Sequence, residues 1–504
     1  MKKKEFININ NFKIDKKTED SYKLSLDIKN IIQDFVNQEV FITISKEFSE
    51  IQKIPQEIVL NKSKQILANN FDYEKGIFKS TFRISSILKD SLVYLSIIIW
   101  GFIFSKKIKT DKKVELIIDD IGSQLAYERF KKLMKLSSSC VAINNFPIKK
   151  HLEDSKITSL YLGKLFFFNS DCFYQNKLKN LKFFFKLISL SHRYNFNFLY
   201  LLKIILYSYC KYSTIFSKYK SKYLLQDRFY RTCPIRNHFF KKNGGNLTVC
   251  TQKNICETTI SLFVFIDTFL SLAKETYTQK RLADLGGDIK NFFPVGSLIM
   301  EHKWFLEDKD IKNVPETDIL IYAIKPNNHL YINELNEKNF LFTQIQWIKK
   351  ISSDKNYKVL IKHHSDVKNN TLYKKKYKSK KSVENFFNTD VNSKTQIDSK
   401  NDSYALFERS KIIFSWSSTM ITEGIGHGYN CYFIDPGLKN SCYFHKLDNF
   451  NNVRIGSFID FKKIIIETIE NNKKQKMDSE MYCLKSDQVS ERIIKYLRSQ
   501  IYSK

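Results

Sequence analysis

Three short hydroxyl side chains stand together in the stretch FSWSSTMITEG, which begins at Phe414. They are Ser417, Ser418 and Thr419. Serine and threonine are common helix N-caps, so one interpretation is structural. The other is chemical, because the N-terminus of a helix with hydroxyls beside it binds anions, and phosphate is the usual one. Glu423 follows one turn later, where a carboxylate can bind ribose hydroxyls.

Two further polar groups follow apolar runs that predict strands. His363 and His364 come after VLIK, and Asp435 comes after CYFI. Successive strand residues face opposite ways, so the two histidines cannot bind one metal side by side. We expect one of them to face a cleft, since ligands of parallel sheets bind at the carboxyl ends of the strands. The alternative is a loop histidine in solvent.

Composition predicts a multidomain protein with an acidic partner. The chain has 504 residues, of which 43% are apolar, enough for two or three cores. Lys and Arg total 83 against 52 acidic residues, so the net charge is +31, although AT-rich codon usage also enriches lysine. The nine cysteines are scattered, which favours a reducing compartment. With no signal sequence at the N-terminus, we predict a cytoplasmic protein. No D-x-D motif follows a predicted strand in the second half, so no metal or other cofactor is predicted.

The pattern along the chain predicts four parts. Residues 1–110 form a helical appendage. Residues 111–300 form a parallel-sheet domain, which begins with a strand, a helix and a strand and later has a helix over Cys256–Ala273. Residues 301–470 form a second parallel-sheet domain. Residues 471–504 form a helical tail.

Residues 161–242 are basic and aromatic. They contain 16 Lys or Arg but two acidic residues, and their spacing predicts helices that are apolar on one side. We expect this region to contact an acidic membrane surface or a phosphorylated carbohydrate acceptor. Ser91–Ser105 is an apolar run of 15 residues, shorter than the roughly 20 that a spanning helix needs. It can be buried in the fold, lie in the membrane interface, or span.

The motifs resemble those of GT-B glycosyltransferases of bacterial surface-polysaccharide synthesis, among them sialyl-, polysialyl- and Kdo-transferases. The resemblance covers roughly residues 111–470 and rests on HH after a strand, on SWSSTMITEG, on GGNLTVCTQ and on the VGS turn. It implies two Rossmann-like parallel-sheet domains. It also implies that one set of residues binds the donor and that Gln252 lies on the acceptor side. The donor-binding residues are then His363, His364, Ser417, Ser418, Thr419 and Glu423.

The sequence departs from that family at two places. His364 stands where the family usually has proline, and Lys253 stands where many relatives have histidine. Because the second departure removes the expected histidine base, we predict Asp227 as the general base, with Asp119 and Asp120 as alternatives. Asp227 could instead be an ordinary acid paired with a nearby arginine.

The resemblance implies transfer of a sugar from a nucleotide sugar to a surface polysaccharide or a lipid-linked glycan, at the inner face of the cytoplasmic membrane. An alternative within the same fold is transfer of a polyol phosphate from a CDP-linked donor, as in teichoic-acid polymerases. A third, of another class, is a basic nucleic-acid-binding protein. We do not expect nucleic acid as the partner, because the aromatic residues recur at helical spacing with leucine and isoleucine, as in a core or a membrane face.

Overall fold

The computed structural model describes most of the two predicted domains and much of the appendage. The described residues are 21–72, 77–78, 83–106, 112–148, 157–161, 168–169, 177–253, 261–274, 277–303, 314–322, 343, 346–351, 353, 356–362, 395–398, 404–415, 418–436, 452–475 and 478–500. The predictions for His363, His364 and Ser417 therefore lie outside the described residues.

The helices are α1 (Ser21–Val36), α2 (Glu39–Gln52), α3 (Gln56–Asn70), α4 (Ile84–Ile103), α5 (Gln124–Leu136), α6 (Lys177–Arg193), α7 (Phe198–Lys218), α8 (Pro234–Lys242), α9 (Tyr277–Asp284), α10 (Leu298–Lys303), α11 (Ala405–Glu408), α12 (Thr419–Gly426), α13 (Phe458–Ile469) and α14 (Val489–Ser499). Two 3-10 turns cover Phe229–Arg231 and Ser479–Met481.

The strands of the two large sheets are β1 (Lys112–Ile121), β2 (Cys140–Asn144), β3 (Ile157–Tyr161), β4 (Tyr219–Gln226), β5 (Leu247–Thr251), β6 (Phe265–Ser271), β7 (Asp288–Pro294), β8 (Thr317–Tyr322), β9 (Val359–Lys362), β10 (Thr395–Asp398), β11 (Ser410–Ser415), β12 (Cys431–Ile434) and β13 (Arg454–Ile455). Two pairs of two-residue strands join Phe71–Asp72 to Ile77–Phe78 and Ser105–Lys106 to Phe168–Asn169.

The first sheet has the order β3-β2-β1-β4-β5-β6-β7, and every pairing in it is parallel. The chain winds outward from β1 in one direction and then from β4 in the other. A doubly wound sheet of this kind opens a crevice at the carboxyl ends of the two strands where the direction reverses. In the first domain these strands are β1 and β4.

The second sheet repeats this arrangement with the order β10-β9-β8-β11-β12-β13, again with parallel pairings throughout. Its direction reverses between β8 and β11, and α12 begins four residues after β11 ends. The predicted fold class, two Rossmann-like parallel-sheet domains of the GT-B kind behind a helical appendage, is confirmed by this topology.

Continuous apolar runs form the central strands because both faces of each parallel sheet are covered. All five residues of β2 are buried, as are all four of β9. One strand has a different pattern, because β4 begins with lysines exposed at alternate positions before its last four residues become buried. This strand lies inside the region 161–242, whose aromatic spacing predicted helices throughout.

That prediction is wrong for residues 219–226. Tyr219, Ser221 and Tyr223 are buried while Lys220 and Lys222 are exposed, which is the two-residue period of a strand. The predicted helix over Cys256–Ala273 is also wrong where the structure describes it, because β6 occupies Phe265–Ser271. A short apolar run fits a buried strand as well as a buried helix, so periodicity alone does not separate them.

The appendage, α1 to α4, shares one core with α6 and α7 of the basic region. Phe183, Phe196 and Phe198 are buried in that core, where Phe196 contacts both Phe35 and Phe198 with ring centroids 5.0 Å apart. The aromatic residues of the basic region that the structure buries here therefore pack the fold.

The last described helix, α14, returns to the first domain. Val489, Ile493 and Leu497 are buried in the same core as Phe130 and Leu133 of α5. Arg498 donates to Glu115 of β1 at 2.7 Å, and this hydrogen bond lowers the pKa of Glu115 to about 2. The second domain is thus inserted between two parts of the first.

Candidate functional site

Asp119 lies near the end of β1 and has no exposed surface. One carboxylate oxygen accepts a hydrogen bond from Nη1 of Arg236 at 2.5 Å, and the other accepts one from the main-chain N–H of Asp120 at 2.8 Å. Burial alone would raise the pKa of Asp119, but the Arg236 guanidinium holds that pKa below its ordinary value. This geometry makes Asp119 half of a buried ion pair, with no face for a substrate hydroxyl.

Asp120 has a positive φ of 65°, a conformation that aspartate tolerates better than most residues. Its carboxylate accepts hydrogen bonds from Nη1 of Arg231 at 3.0 and 3.1 Å and from Asn145 at 2.8 Å. It borders a cavity of about 260 Å³ between α3 of the appendage and the turn Phe229–Arg231. Polar and aromatic side chains line much of this cavity, including Lys62, Tyr212 and Tyr230.

Asp227 is the first residue after β4, and 10% of its side chain is exposed. Its main-chain carbonyl accepts a hydrogen bond from the Thr251 hydroxyl at 2.7 Å, which ties the end of β4 to the end of β5. Nε of Arg228 lies 3.4 Å from one carboxylate oxygen. Asp227 lines a narrow cleft of about 30 Å³, which Glu423 of α12 also lines. Of the three candidate bases, Asp227 therefore faces the space between the domains.

Two cations border the same cleft, Arg129 of α5 and Lys253 after β5. Burial lowers the pKa of Lys253 to about 8; the nearby Asp227 raises it, and Arg228 and Arg129 lower it further. Nε of Arg129 is buried and has no hydrogen-bond partner in the part of the chain that the structure describes. The lining of the cleft therefore includes two cations, Arg129 and Lys253, and two carboxylates, Asp227 and Glu423.

Gln252 also lines the cleft and is buried. Its amide oxygen accepts a hydrogen bond from the main-chain N–H of Leu272 at 2.9 Å. The side chain therefore joins the ends of β5 and β6 and holds the next residue, Lys253, at the edge of the cleft. The amide oxygen thus has a structural partner, and the role of Gln252 on the acceptor side stays a prediction.

Ser418 is the N-cap of α12, and its hydroxyl accepts a hydrogen bond from the main-chain N–H of Met420 at 3.3 Å. Thr419 is the first residue of the helix, and both residues are partly exposed. The N-terminus of α12 therefore lies beside the end of β11, at the reversal point of the second sheet. The structural interpretation of the hydroxyl cluster holds for Ser418, and a hydroxyl that accepts one hydrogen bond can still donate its own proton to a phosphate.

Glu423 is 2% exposed and joins the two domains. One carboxylate oxygen accepts a hydrogen bond from the Ser297 hydroxyl at 2.5 Å, and the other accepts one from the Tyr404 hydroxyl at 2.7 Å. Burial raises the pKa of Glu423, although these two hydroxyls and the nearby Arg129 oppose the rise. Both oxygens are thus occupied within the protein, where the sequence predicted a contact with ribose.

Sequence reasoning missed several residues of this cleft. Arg129 lies on an amphipathic helix, where a cation is ordinarily a solvated side chain, and no local signal marks it. Ser297 belongs to the VGS turn, which indicated the route into the second domain but not a hydrogen bond to Glu423. In the described part of the chain, no group of three or more His, Cys, Asp or Glu side chains is placed to hold a metal ion.

No family model matches this sequence, and no curated protein matches it. Solved structures with a similar arrangement include a UDP-GlcNAc 2-epimerase from Methanocaldococcus jannaschii, with a TM-score of 0.45 and 12% identity over 77% of this chain and 100% of that one. The wall teichoic acid polymerase TagF has a TM-score of 0.43 and 11% identity over 84% of this chain and 100% of its own. S. aureus MnaA bound to UDP has a TM-score of 0.43 and 9% identity over 78% of this chain and 99% of its own. Similarity this low transfers no reaction or ligand to this protein.

Proposed function

We propose that this protein is a GT-B glycosyltransferase that moves a sugar from a nucleotide sugar to a surface polysaccharide or a lipid-linked glycan, at the cytoplasmic face of the membrane. The observation that supports this proposal is the cleft between two doubly wound sheets. Its lining includes a carboxylate from the end of β4, Asp227, two cations, Arg129 and Lys253, and Glu423 of α12.

The second domain holds the nucleotide in this proposal. The N-terminus of α12, with Ser418 and Thr419, binds a phosphate through the helix dipole and main-chain N–H groups. Arg129 and Lys253 approach from the first domain and neutralise the charge that develops on the phosphate as the nucleotide leaves. Glu423 keeps Ser297 and Tyr404 in place around this site rather than binding ribose itself.

The first domain holds the acceptor. Asp227 takes the proton from the attacking hydroxyl, so that the oxygen can bond to the anomeric carbon while the bond to the nucleotide phosphate breaks. Arg231, which lines the cavity beside Asp120, lies four positions after Asp227 in the chain. The polar and aromatic lining of this cavity suits the part of a glycan that precedes the reacting sugar. The appendage therefore supplies one wall of the acceptor site, through α3.

A thermal-shift screen against CMP, CDP, UDP, GDP and their sugar conjugates tests the proposal. A ligand present at a hundred times its dissociation constant stabilises the folded state by ~2.7 kcal/mol, so one nucleotide class should raise the melting temperature by several degrees. A response to CDP-polyols alone would favour polyol-phosphate transfer instead. A response to oligonucleotides alone at physiological salt would contradict the proposal.

Replacing both Ser417 and Ser418 by Ala is expected to weaken nucleotide binding by roughly a hundredfold or more. Each hydroxyl would lose a hydrogen bond to a charged phosphate, which contributes about 1.5–3 kcal/mol. The loss of the Ser418 cap alone would reduce the free energy of unfolding by only ~1 kcal/mol. Calorimetric titration with the nucleotide found in the screen measures the first effect, and denaturant unfolding measures the second.

Ser457→Ala is the control, because Ser457 is also a helix N-cap, at the start of α13, and accepts a hydrogen bond from the N–H of Asp460 at 3.1 Å. It should lower stability by a similar amount and leave nucleotide binding unchanged. If the double variant also bound nucleotide like the parent and only melted earlier, the hydroxyls would be helix caps and nothing more.

Nucleotide affinity is expected to fall as pH rises through about 8. The pKa of Lys253 is lowered to about 8, so its positive charge is complete below that pH and is lost above it. If Lys253 binds phosphate, the affinity should decline by as much as about tenfold per pH unit, which is the limit for one proton. Titrations between pH 6.5 and 9.5 measure the slope.

Lys253→Arg should remove most of this slope, because arginine stays charged throughout the range. The control is Lys274→Arg, since Lys274 is 57% exposed and pairs with Glu480. A parent protein whose affinity did not change across this range would show that Lys253 does not contact the phosphate.

A further inference from the structure

Exposed apolar residues are concentrated on two helices. Fifteen large apolar side chains are exposed in the described part of the chain, and ten of them lie on α4 and α6. Those on α4 are Ile84, Leu88, Leu92, Val93, Ile99, Trp100 and Ile103, and those on α6 are Leu178, Leu181 and Phe185. Single exposed apolar residues need no explanation, but a contiguous patch marks an interaction surface.

On α4 the exposed residues form a stripe. At 100° per residue, Ile84, Leu88, Leu92, Ile99 and Ile103 fall within an arc of about 100°. Their exposed fractions are between 51% and 70%. The opposite side of α4 is buried in the core of the helical layer. The helix therefore presents one apolar face to the protein and another outward.

Helix α6 extends the stripe. Leu178, Leu181 and Phe185 fall within an arc of about 60°. The ring of Tyr94 on α4 stacks on Phe184 of α6, with centroids 5.8 Å apart. Because the two helices pack against each other and against the same core, their exposed residues lie on the outer side of one layer. We call this surface the α4/α6 face.

The charges around the α4/α6 face are positive. Lys89, Lys179, Lys182 and Lys186 are exposed on these helices. The single acidic residue of the two helices, Asp90, is 4% exposed and pairs with Lys203 and Asn197. Lys186 pairs with Glu47 of α2, whose side chain is 33% exposed, which leaves Lys89, Lys179 and Lys182 as the lysines of this border without an exposed acidic residue on their own helices. An apolar face bordered by these lysines complements the surface of an anionic bilayer.

We propose that the α4/α6 face inserts into the headgroup region of an anionic lipid bilayer, with α4 and α6 lying in the plane of the membrane. Helix α4 is long and apolar enough to cross a membrane by length and composition, with 33% of its apolar window buried in the fold. Its buried side and the Asp90–Lys203 pair hold it on the protein, which favours an interfacial helix over a span. The inference does not depend on which group the enzyme transfers.

Sedimentation with vesicles tests the α4/α6 face. Vesicles of phosphatidylglycerol and phosphatidylethanolamine should bind the full chain more tightly than vesicles of phosphatidylcholine. Because 1 M salt shortens the screening length to about 3 Å, it should weaken the contribution of the lysines and leave most of the protein bound through the apolar residues. Complete release at 1 M salt would show that charge alone holds the protein and would overturn insertion.

The double variant Leu88→Asp/Leu92→Asp should reduce the partition coefficient by roughly a hundredfold or more, since both side chains lose their contact with the acyl region. Ile459→Asp is the matched control, because Ile459 is 78% exposed on α13 of the second domain. It should bind vesicles like the parent. Lys179→Ser/Lys182→Ser should weaken binding several-fold at low salt and change little at high salt.

All these positions are exposed, so the variants should melt like the parent, and their nucleotide binding should be unchanged. A variant that binds nucleotide normally but no longer binds vesicles would support this inference without depending on the proposed transferase function. Vesicle binding by Leu88→Asp/Leu92→Asp at the parent's level would overturn the inference. The inference would also be overturned if the parent were dimeric without lipid and this variant were monomeric, because a second copy of the chain would then cover the face.

Discussion

Asp227→Asn is expected to lower the turnover number by ~10²–10⁴ while leaving nucleotide affinity unchanged. The substitution keeps the shape of the side chain and removes the group that accepts the proton of the acceptor hydroxyl, and a positioned base contributes a factor of this size. The side chain lies in the cleft with 10% of its surface exposed, so the exchange should leave the fold intact. Single-turnover rates with saturating donor, together with calorimetric nucleotide binding, measure both quantities.

Asp120→Asn is the control for that experiment. Asp120 lies one residue before the end of β1, and its carboxylate is held by Arg231 and Asn145 at the border of the appendage cavity. We expect it to weaken acceptor binding and to retain most of the turnover. If Asp120→Asn were inactive and Asp227→Asn were nearly normal, the base would be Asp120.

Asp119→Asn is expected to lower the free energy of unfolding by ~3–5 kcal/mol. Asp119 and Arg236 are both at most 1% exposed, and loss of one charge leaves the other buried without compensation. For a domain of this size each kcal/mol shifts the melting temperature by roughly 2–4 °C, so a decrease of about 6–20 °C should follow. Denaturant unfolding and calorimetry measure the effect.

Two further variants distinguish the ion pair from its surroundings. Glu480→Gln breaks the pair with Lys274, whose side chains are 50% and 57% exposed, and should reduce stability by no more than ~1 kcal/mol. Asp119→Leu/Arg236→Met replaces both charges with apolar groups and should recover much of the loss. Stability of Asp119→Asn within 1 kcal/mol of the parent would mean that the buried guanidinium finds another partner.

The fold class could be predicted from the sequence because parallel strands leave a strong local signal. Runs such as LII at residues 116–118 and CVAI at residues 140–143 are apolar at successive positions, and each strand is followed by a helix or a turn. The end of a strand then fixes where a polar residue lies, which is why Ser418 was found at the reversal point of the second sheet. Asp227 was predicted in another way, from the loss of the expected histidine at Lys253, because the strand before it was predicted as a helix. This reasoning fails for β4. Its exposed lysines alternate with buried residues, and it lies between two aromatic helices, so its sequence was interpreted as part of a helix.

The contacts across the cleft could not be predicted, because they join residues far apart in sequence. Glu423 meets Ser297, which precedes it by 126 residues. Nothing within either segment indicates the other, and the glutamate alone fits a ribose contact as well as a buried hydrogen bond. The place of Arg129 in the cleft could not be predicted for the same reason, since it depends on the packing of α5.

The return of α14 to the first domain affects the order in which the protein can fold during synthesis. Domains generally fold from the N-terminus as the chain is made. Here the first domain cannot complete its core at that stage, because the apolar surface of α5 around Phe130 and Leu133 is covered by Val489, Ile493 and Leu497. That surface stays exposed on the ribosome while the whole second domain is translated, so it is available to a chaperone throughout that time.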